Sequence, residues 1–213
     1  MTTRCSVAKE LEFFLHLSET IPGWTQGGEA QELLRLSYSL LAGAVIVEIG
    51  SFLGASAILL AGPRRIRGSG LVHCVDPFDG TGDSFSVPHY QRILEEVGGG
   101  SLRDHFDRNI HDAGLDPWIR IHEGRAAEVA HAWTTPIDLL YLDGDQSRKG
   151  VREAYDSWAL FLKVSGIIAV HNSAPENHTA EHDGHRCIVE EEIKQPHFHN
   201  IRLVGSTTFA IKA

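Results

Sequence analysis

The stretch from Val45 to Ser56 constrains this chain more than any other. Val45-Ile46-Val47-Glu48-Ile49 is an apolar, mostly β-branched run without helical spacing, which reads as a buried strand. Gly50 follows at a position where a side chain would obstruct a tight turn, and Gly54 allows close approach of backbone or ligand. Ala55-Ser56-Ala57-Ile58-Leu59-Leu60 then reads as a buried helix whose N-terminus points at whatever lies over the turn. A strand that turns on glycine straight into a helix opens a parallel α/β unit and can seat a small cofactor against bare backbone. Phe52 stands where a GxGxxG loop has its second glycine, so a pyrophosphate has less room here. The plain alternative is an ordinary tight strand-to-helix turn.

The remaining sequence alternates in the same way. Leu11, Phe14, Leu15 and Leu17 recur at helical spacing over about 7–18, and Leu33, Leu34, Leu40 and Leu41 do so over 29–42. A Pro-Gly loop with Trp24 separates them. Further strands are expected at 71–76, 119–122, 137–143 and 166–171. Helices are expected from Ser101 to Gly114, over about 151–162 and near 185–194. Two last strands, 201–204 and 208–211, flank Gly205-Ser206 as an antiparallel hairpin. This predicts an α/β fold of Rossmann-like, doubly wound type: a mainly parallel seven-stranded sheet closed by that hairpin. One domain spans 1–213, with 1–42 forming a helical lid or substrate cap and 43–213 the Rossmann-like core. Segment 78–90 is a loop long enough to shape a pocket.

Composition narrows the functional classes. Nineteen basic against 28 acidic residues give a net charge of −9, which disfavours a nucleic-acid partner. The basic cluster Arg64-Arg65-Arg67 is most simply a solvated helix end. No apolar run suits a membrane span, and Met1–Cys5 lacks a secretory apolar region. Cys5, Cys74 and Cys187 lie too far apart in sequence for a CxxC site. The expected location is the cytoplasm, and the expected partner is a small-molecule acceptor, with a homodimer left open.

In an open α/β sheet, ligands bind beyond the carboxyl ends of the strands. Those ends carry Glu48 and Gly50, then Asp76, then Glu123-Gly124-Arg125, then Asp143-Gly144-Asp145, then His171-Asn172. Asp76, about 26 residues after Gly50, can accept from both hydroxyls of a ribose, or can cap the turn before Pro77. Glu48 can answer an ammonium, or can be a buried carboxylate satisfied by backbone amides. Asp143 and Asp145, at i and i+2, would share a side in extended backbone. Asp143 with His171 or Asn172 could hold a divalent cation, leaving the second carboxylate as a general base. Turn chemistry is the simpler source of Asp-Gly-Asp. His178, His182 and His185 are spaced for zinc, but their neighbours make the segment a loop with solvated histidines.

With these residues placed, the chain resembles the class I S-adenosylmethionine-dependent methyltransferases. It is closest to small bacterial O-methyltransferases of the macrocin and sugar type and to relatives of cephalosporin hydroxylase. The catechol and caffeoyl-CoA O-methyltransferases are more distant. The motifs are Val47-Glu48-Ile49-Gly50-x3-Gly54-x-Ser56, Asp76-Pro77-Phe78, Asp138 to Asp145, Gly166 to Asn172, and Val204-Gly205-Ser206. The resemblance implies S-adenosylmethionine as cofactor. It implies Gly50, Phe52, Gly54 and Ser56 along its methionine part, Glu48 near the ammonium, Asp76 on the ribose, and Arg125 and Ala126 beside the adenine. Asp143 would border the cofactor and ligate a metal such as Mg²⁺ with Asn172 and His171, and Asp145 would be the catalytic base. Two positions depart from the pattern. Gln146 replaces a lysine or histidine and cannot act as a base, and His171-Asn172 replaces an Asp-Asp or Asp-Asn pair.

O-methylation of a small-molecule hydroxyl, with metal assistance, is the leading expectation. A fold-sharing protein that uses the cofactor structurally, or a binding module, is the second. A metal hydrolase or oxygenase built on the histidine-rich last third is the third.

Overall fold

The computed structural model describes residues 2–175 and 179–213, with side chains from residue 6 onward. His178 lies outside the described residues. Strands β1 (Val45–Ile49), β2 (Leu71–Asp76), β3 (Ile119–Glu123), β4 (Ile137–Leu142), β5 (Leu162–Val170), β6 (Phe198–Val204) and β7 (Thr207–Lys212) form one sheet in the order β3-β2-β1-β4-β5-β7-β6. The first five pair in parallel, and β7 runs antiparallel to both β5 and β6. The expected seven-stranded, doubly wound sheet with its closing hairpin is therefore present.

Alternation along the strands splits the core into two layers, because successive side chains leave a strand on opposite faces. Ile46, Val72, Cys74, Leu139, Tyr141 and Phe209 face one way. They are covered by α1 (Thr2–Glu19), α2 (Gly27–Ser39), α3 (Ala55–Arg67) and α5 (Leu102–Asp112). Val47, Ile49, Val75, Leu140, Leu142, Ile168 and Val170 face the other way. They meet α6 (Ala126–Ala130), α7 (Arg148–Trp158) and α8 (Gly184–Glu192). Burial on both faces is what makes these strands near-continuous apolar runs.

Local chemistry sets the helix starts. The Ser101 hydroxyl accepts from the Asp104 amide at 3.3 Å at the head of α5, and Ser147 accepts from Gly150 at 3.0 Å at the head of α7. Some boundaries differ from the sequence expectation. The end of the 78–90 segment enters α4 (Val87–Glu96), entered through Pro88 and carrying no fully buried residue, so its apolar signal is weak. Strand β5 begins at Leu162 rather than 166.

Arg64 corrects the reading of the basic cluster as solvated. It is 0% exposed. Its guanidinium donates to the Ser37 carbonyl at 2.6 Å, to the Leu40 and Leu41 carbonyls, and to the Ser69 carbonyl at 2.8 Å. One side chain thereby satisfies carbonyls in and just past the last turn of α2 and past the end of α3. Helices α1 and α2 lie against α3, and their connecting loop carries Trp24 and Thr25 to the carboxyl edge of the sheet.

Candidate active site

A cavity of about 640 Å³ opens at the carboxyl ends of β1, β2, β4 and β5. The chain reverses its winding direction between β1 and β4, and the splayed loops at that switch leave a crevice. Gly50 (φ +88°) lies on its floor, where a Cβ would sit 2.4 Å from the Asp143 carbonyl oxygen. The glycine is thus demanded by the close pass of the β1 and β4 ends. Phe52 adopts a left-handed φ of +47°, a sparsely populated state for a non-glycine residue that clusters at ligand sites. Its ring meets Trp24 at 5.5 Å and Tyr90 at 5.1 Å.

The expected cofactor residues divide. Gly50, Phe52, Ser56, Asp76, Arg125, Ala126 and Asp143 line the cavity. Gly54 does not: a Cβ there would press on the Phe106 ring at 3.2 Å, so this glycine serves the packing of α3 against α5. Glu48 also stands back from the lining, fully buried beneath the turn. Ser51 donates to its Oε2 at 2.6 Å, and its Oε1 is a buried oxygen without a hydrogen-bond partner among the described residues. Burial pushes its carboxyl up to about 7, against hydrogen bonds from Ser51, Ser56 and Cys74.

Asp76 makes the turn-capping contacts of its sequence reading. Its Oδ2 accepts from the Ser51 and Phe52 amides at 2.8 and 2.9 Å, and its Oδ1 from the Phe78 amide at 2.7 Å. It holds the β1–α3 turn and its own turn past Pro77, and of a carboxylate's roughly four acceptor positions one is left for a ribose hydroxyl. Arg125 stands 3.7 Å from Asp79 and donates to the Thr81 hydroxyl at 3.5 Å, walling the β3 end.

Asp143 and Asp145 both lie past the end of β4, which closes at Leu142. Asp143 accepts from the Tyr141 hydroxyl at 3.1 Å, which in turn shares a 2.7 Å hydrogen bond with Thr25. Burial raises the Asp143 carboxyl well above its ordinary range, and the charges of Glu48, Glu29 and Asp76 add to this. Asp145 is exposed and accepts from the Ser147 amide at 2.9 Å, beside the start of α7. Both still line the cavity.

Around His171 lies a network that sequence reasoning missed. Its Nδ1 donates to the Thr207 hydroxyl at 3.1 Å, and its Nε2 stands 3.9 Å from Asp143. Burial lowers its pKa to about 4, so the ring is neutral near pH 7. Glu29, at the start of α2, accepts from the Ser206 amide and from the Ser206 and Thr207 hydroxyls at 2.8–2.9 Å. Gly205 is required there, since a Cβ would meet Glu29 at 2.9 Å.

Of the histidines read as solvated, His182 and His185 are buried, whereas His197 and His199 further on are exposed. His182 is 8% exposed. Its Nδ1–H donates to Asp83 at 3.0 Å, and its Nε2 accepts from the Asn172 amide at 2.8 Å. Although burial opposes ionisation, hydrogen bonds from His182 and Ser86 hold the Asp83 carboxyl down to about 2. His185 is buried and donates from Nδ1 to the His171 carbonyl at 2.7 Å. Asn172 also donates to Gln146 Oε1 at 2.7 Å. The amide nitrogen of Asn172 thus turns to Gln146 and His182, and only Asp143 and His171 approach each other. Among the described residues no three His, Cys, Asp or Glu side chains form a group that could hold a metal ion. The expected metal set of Asp143, His171 and Asn172 is not assembled by these contacts.

A doubly wound sheet with a glycine turn, a carboxylate at the end of its second strand and a crevice at the switch point defines the Rossmann-like class of fold. Residues 47–173, more than half of the chain, match the family model of the methyltransferase domain, and the chain belongs to that family. Solved structures with the same fold include TomG, an O-methyltransferase from Streptomyces achromogenes involved in tomaymycin synthesis, in complex with SAM. It is 18% identical, with 96% of this chain and 89% of that chain covered and a TM-score of 0.62. Cofactor-bound Rv0187 from MTB is 17% identical over 96% of this chain and 89% of that chain, with a TM-score of 0.64. CalS11, a TDP-rhamnose 3′-O-methyltransferase of calicheamicin biosynthesis, is 18% identical over 85% of this chain and 77% of that chain, with a TM-score of 0.53. At these identities the likeness is one of fold.

Proposed function

We propose that this protein transfers a methyl group from S-adenosylmethionine to a hydroxyl of a small molecule. The observation that carries the reading is the single cavity that joins the Gly50–Ser56 turn and Asp76 to Asp145 and the β5 end. The residues present fit such a cofactor. Asp76 keeps an acceptor position for a ribose hydroxyl, the turn offers Gly50 backbone and the Ser51 and Ser56 hydroxyls to a methionine tail, and Arg125 and Ala126 border a flat base. The bound cofactor supplies an activated methyl group on a sulfonium. The protein's share is then alignment for in-line attack and removal of the hydroxyl proton.

Asp145 is the proposed base. It lines the cavity on the β4 side, and the Ser147 amide fixes the position of its Oδ1. A carboxylate there takes the acceptor's proton as the oxygen–methyl bond forms. The donor set at Asp143, His171 and Asn172 does not fit a divalent cation, and the reading uses none.

The test is incubation with methyl-labelled S-adenosylmethionine and a panel of hydroxylated small molecules. Label recovered as a methyl ether is expected, with the rate reduced about 100-fold or more in Asp145→Asn. Label recovered on nitrogen or carbon alone, or bound cofactor with no transfer to any acceptor, overturns O-methylation. An unchanged rate in Asp145→Asn removes the base assignment.

A further inference from the structure

Two independent features of the acceptor side of the cavity select for charge. The first is the sign of its ionisable groups. Asp145 lines the wall past the end of β4, and Glu153, 3.8 Å from Lys149, lines it from α7. Burial raises the neighbouring Asp143 carboxyl well above its ordinary range, so Asp143 is not counted as a charge. Arg125 is the only lysine or arginine in the lining among the described residues, and it stands at the β3 end beside Asp79. Burial keeps His171 neutral near pH 7, and Asp83 backs His182. The second feature is the aromatic rim. Trp24 meets Phe52 and Tyr90 at 5.5 Å each, and Phe85 meets His182 at 4.5 Å and His89 at 5.0 Å. Ring faces carry a negative quadrupole that attracts cations, and they accept flat apolar surfaces of aromatic or sugar rings.

The geometry points to an acceptor that is a hydroxylated ring bearing a protonated amine, and away from anionic acceptors such as carboxylates, nucleotide sugars or coenzyme A esters. An ammonium in this space gains from the carboxylates and from the ring faces together. A phosphate or carboxylate there meets like charge at Asp145 and Glu153, and among the described residues no lysine or arginine lines that side of the cavity. The inference rests on the methyltransferase reading above and sharpens it to a substrate class. The ring can be a phenol or an amino sugar, since both place a flat face on Trp24 and Phe85.

The experiment is calorimetric titration of the full chain saturated with S-adenosylhomocysteine, which carries no sulfonium charge. One series is tyramine, tyrosol and 4-hydroxyphenylacetate; the other is glucosamine, glucose and glucuronate. In at least one series the amine is expected to bind about 10-fold tighter than the carboxylate, with the neutral member between them. The stronger series identifies the ring. In Asp145→Asn the amine-to-carboxylate ratio is expected to fall towards one. Equal or tighter binding of the carboxylates overturns the inference, as does the absence of binding by all six compounds at millimolar concentration. Failure of S-adenosylhomocysteine itself to bind overturns the methyltransferase reading instead, and this one with it.

Discussion

Glu48 is the residue where burial and chemistry collide most openly. It has no exposed surface, one oxygen without a partner, and a carboxyl raised to about 7. Cys74 and Asp76 on β2, Tyr141 on β4 and Asp143 just past its end all lie near Glu48, and none of them is a cation. A carboxyl whose folded-state pKa lies above its unfolded value of 4.5 favours folding below about pH 4.5. That advantage is lost as pH rises through about 7. The raised value amounts to about 3 kcal/mol between the two limits. Glu48→Gln is therefore expected to gain stability relative to the parent between pH 5 and pH 8, measured as the difference in urea unfolding free energy at each pH. A parallel pH dependence in parent and variant removes the assignment. The pattern Glu48-Ile49-Gly50 was readable in sequence, because a strand followed by a glycine turn is a local signal. The position of Glu48 behind Ser51 and Ser56 was not, because burial depends on how α3 closes over β1.

At the level of elements, the molecule ties helix ends together through single polar side chains. Arg64 does this for α2 and α3, with four carbonyl partners and no carboxylate. Burial lowers its pKa from the ordinary arginine value. Arg64→Met keeps the stem volume but leaves several buried carbonyls without a donor, at a cost of about 3 kcal/mol. Equilibrium unfolding is expected to show that loss. Faster amide exchange is expected in the last turn of α2, where the Ser37 and Leu40 carbonyls lie. A loss below about 0.5 kcal/mol, within the range of ordinary surface changes, contradicts the role. The strands and helices themselves were largely legible from periodicity. The pairings that close the site were not. Asp83 meets His182 across 99 residues of sequence, and Glu29 meets Ser206 across 177. Neither pair leaves a periodic trace, and isolated histidines and aspartates in loop-like sequence read as solvated until their partners are known.

Taken whole, the molecule is a two-layered sheet with one large crevice at its switch point, and occupancy of that crevice links distant segments. The loop before α2, the turn after β1, the ends of β2, β4 and β5, and Ser206 of the hairpin all contribute to the lining. A ligand that binds only the folded form stabilises the whole chain by mass action. S-adenosylhomocysteine at 100 times its Kd is expected to add about 2.7 kcal/mol. For a chain of this length that raises Tm by about 5–10 °C in a thermal scan. The charge of −9 makes nonspecific polyanion binding an unsuitable explanation for any such shift. An unchanged Tm across that concentration range contradicts binding in this cavity.

The clamp between Glu29 and the Ser206–Thr207 turn also sets a clock. The ribosome delivers the first carboxylate early, but its three donors arrive 177 and 178 residues later. Until β6 and β7 emerge, β5 is an open edge, His171 lacks the Thr207 hydroxyl, and the crevice has no wall on that side. The growing chain therefore has a formed glycine turn long before it has a closed pocket.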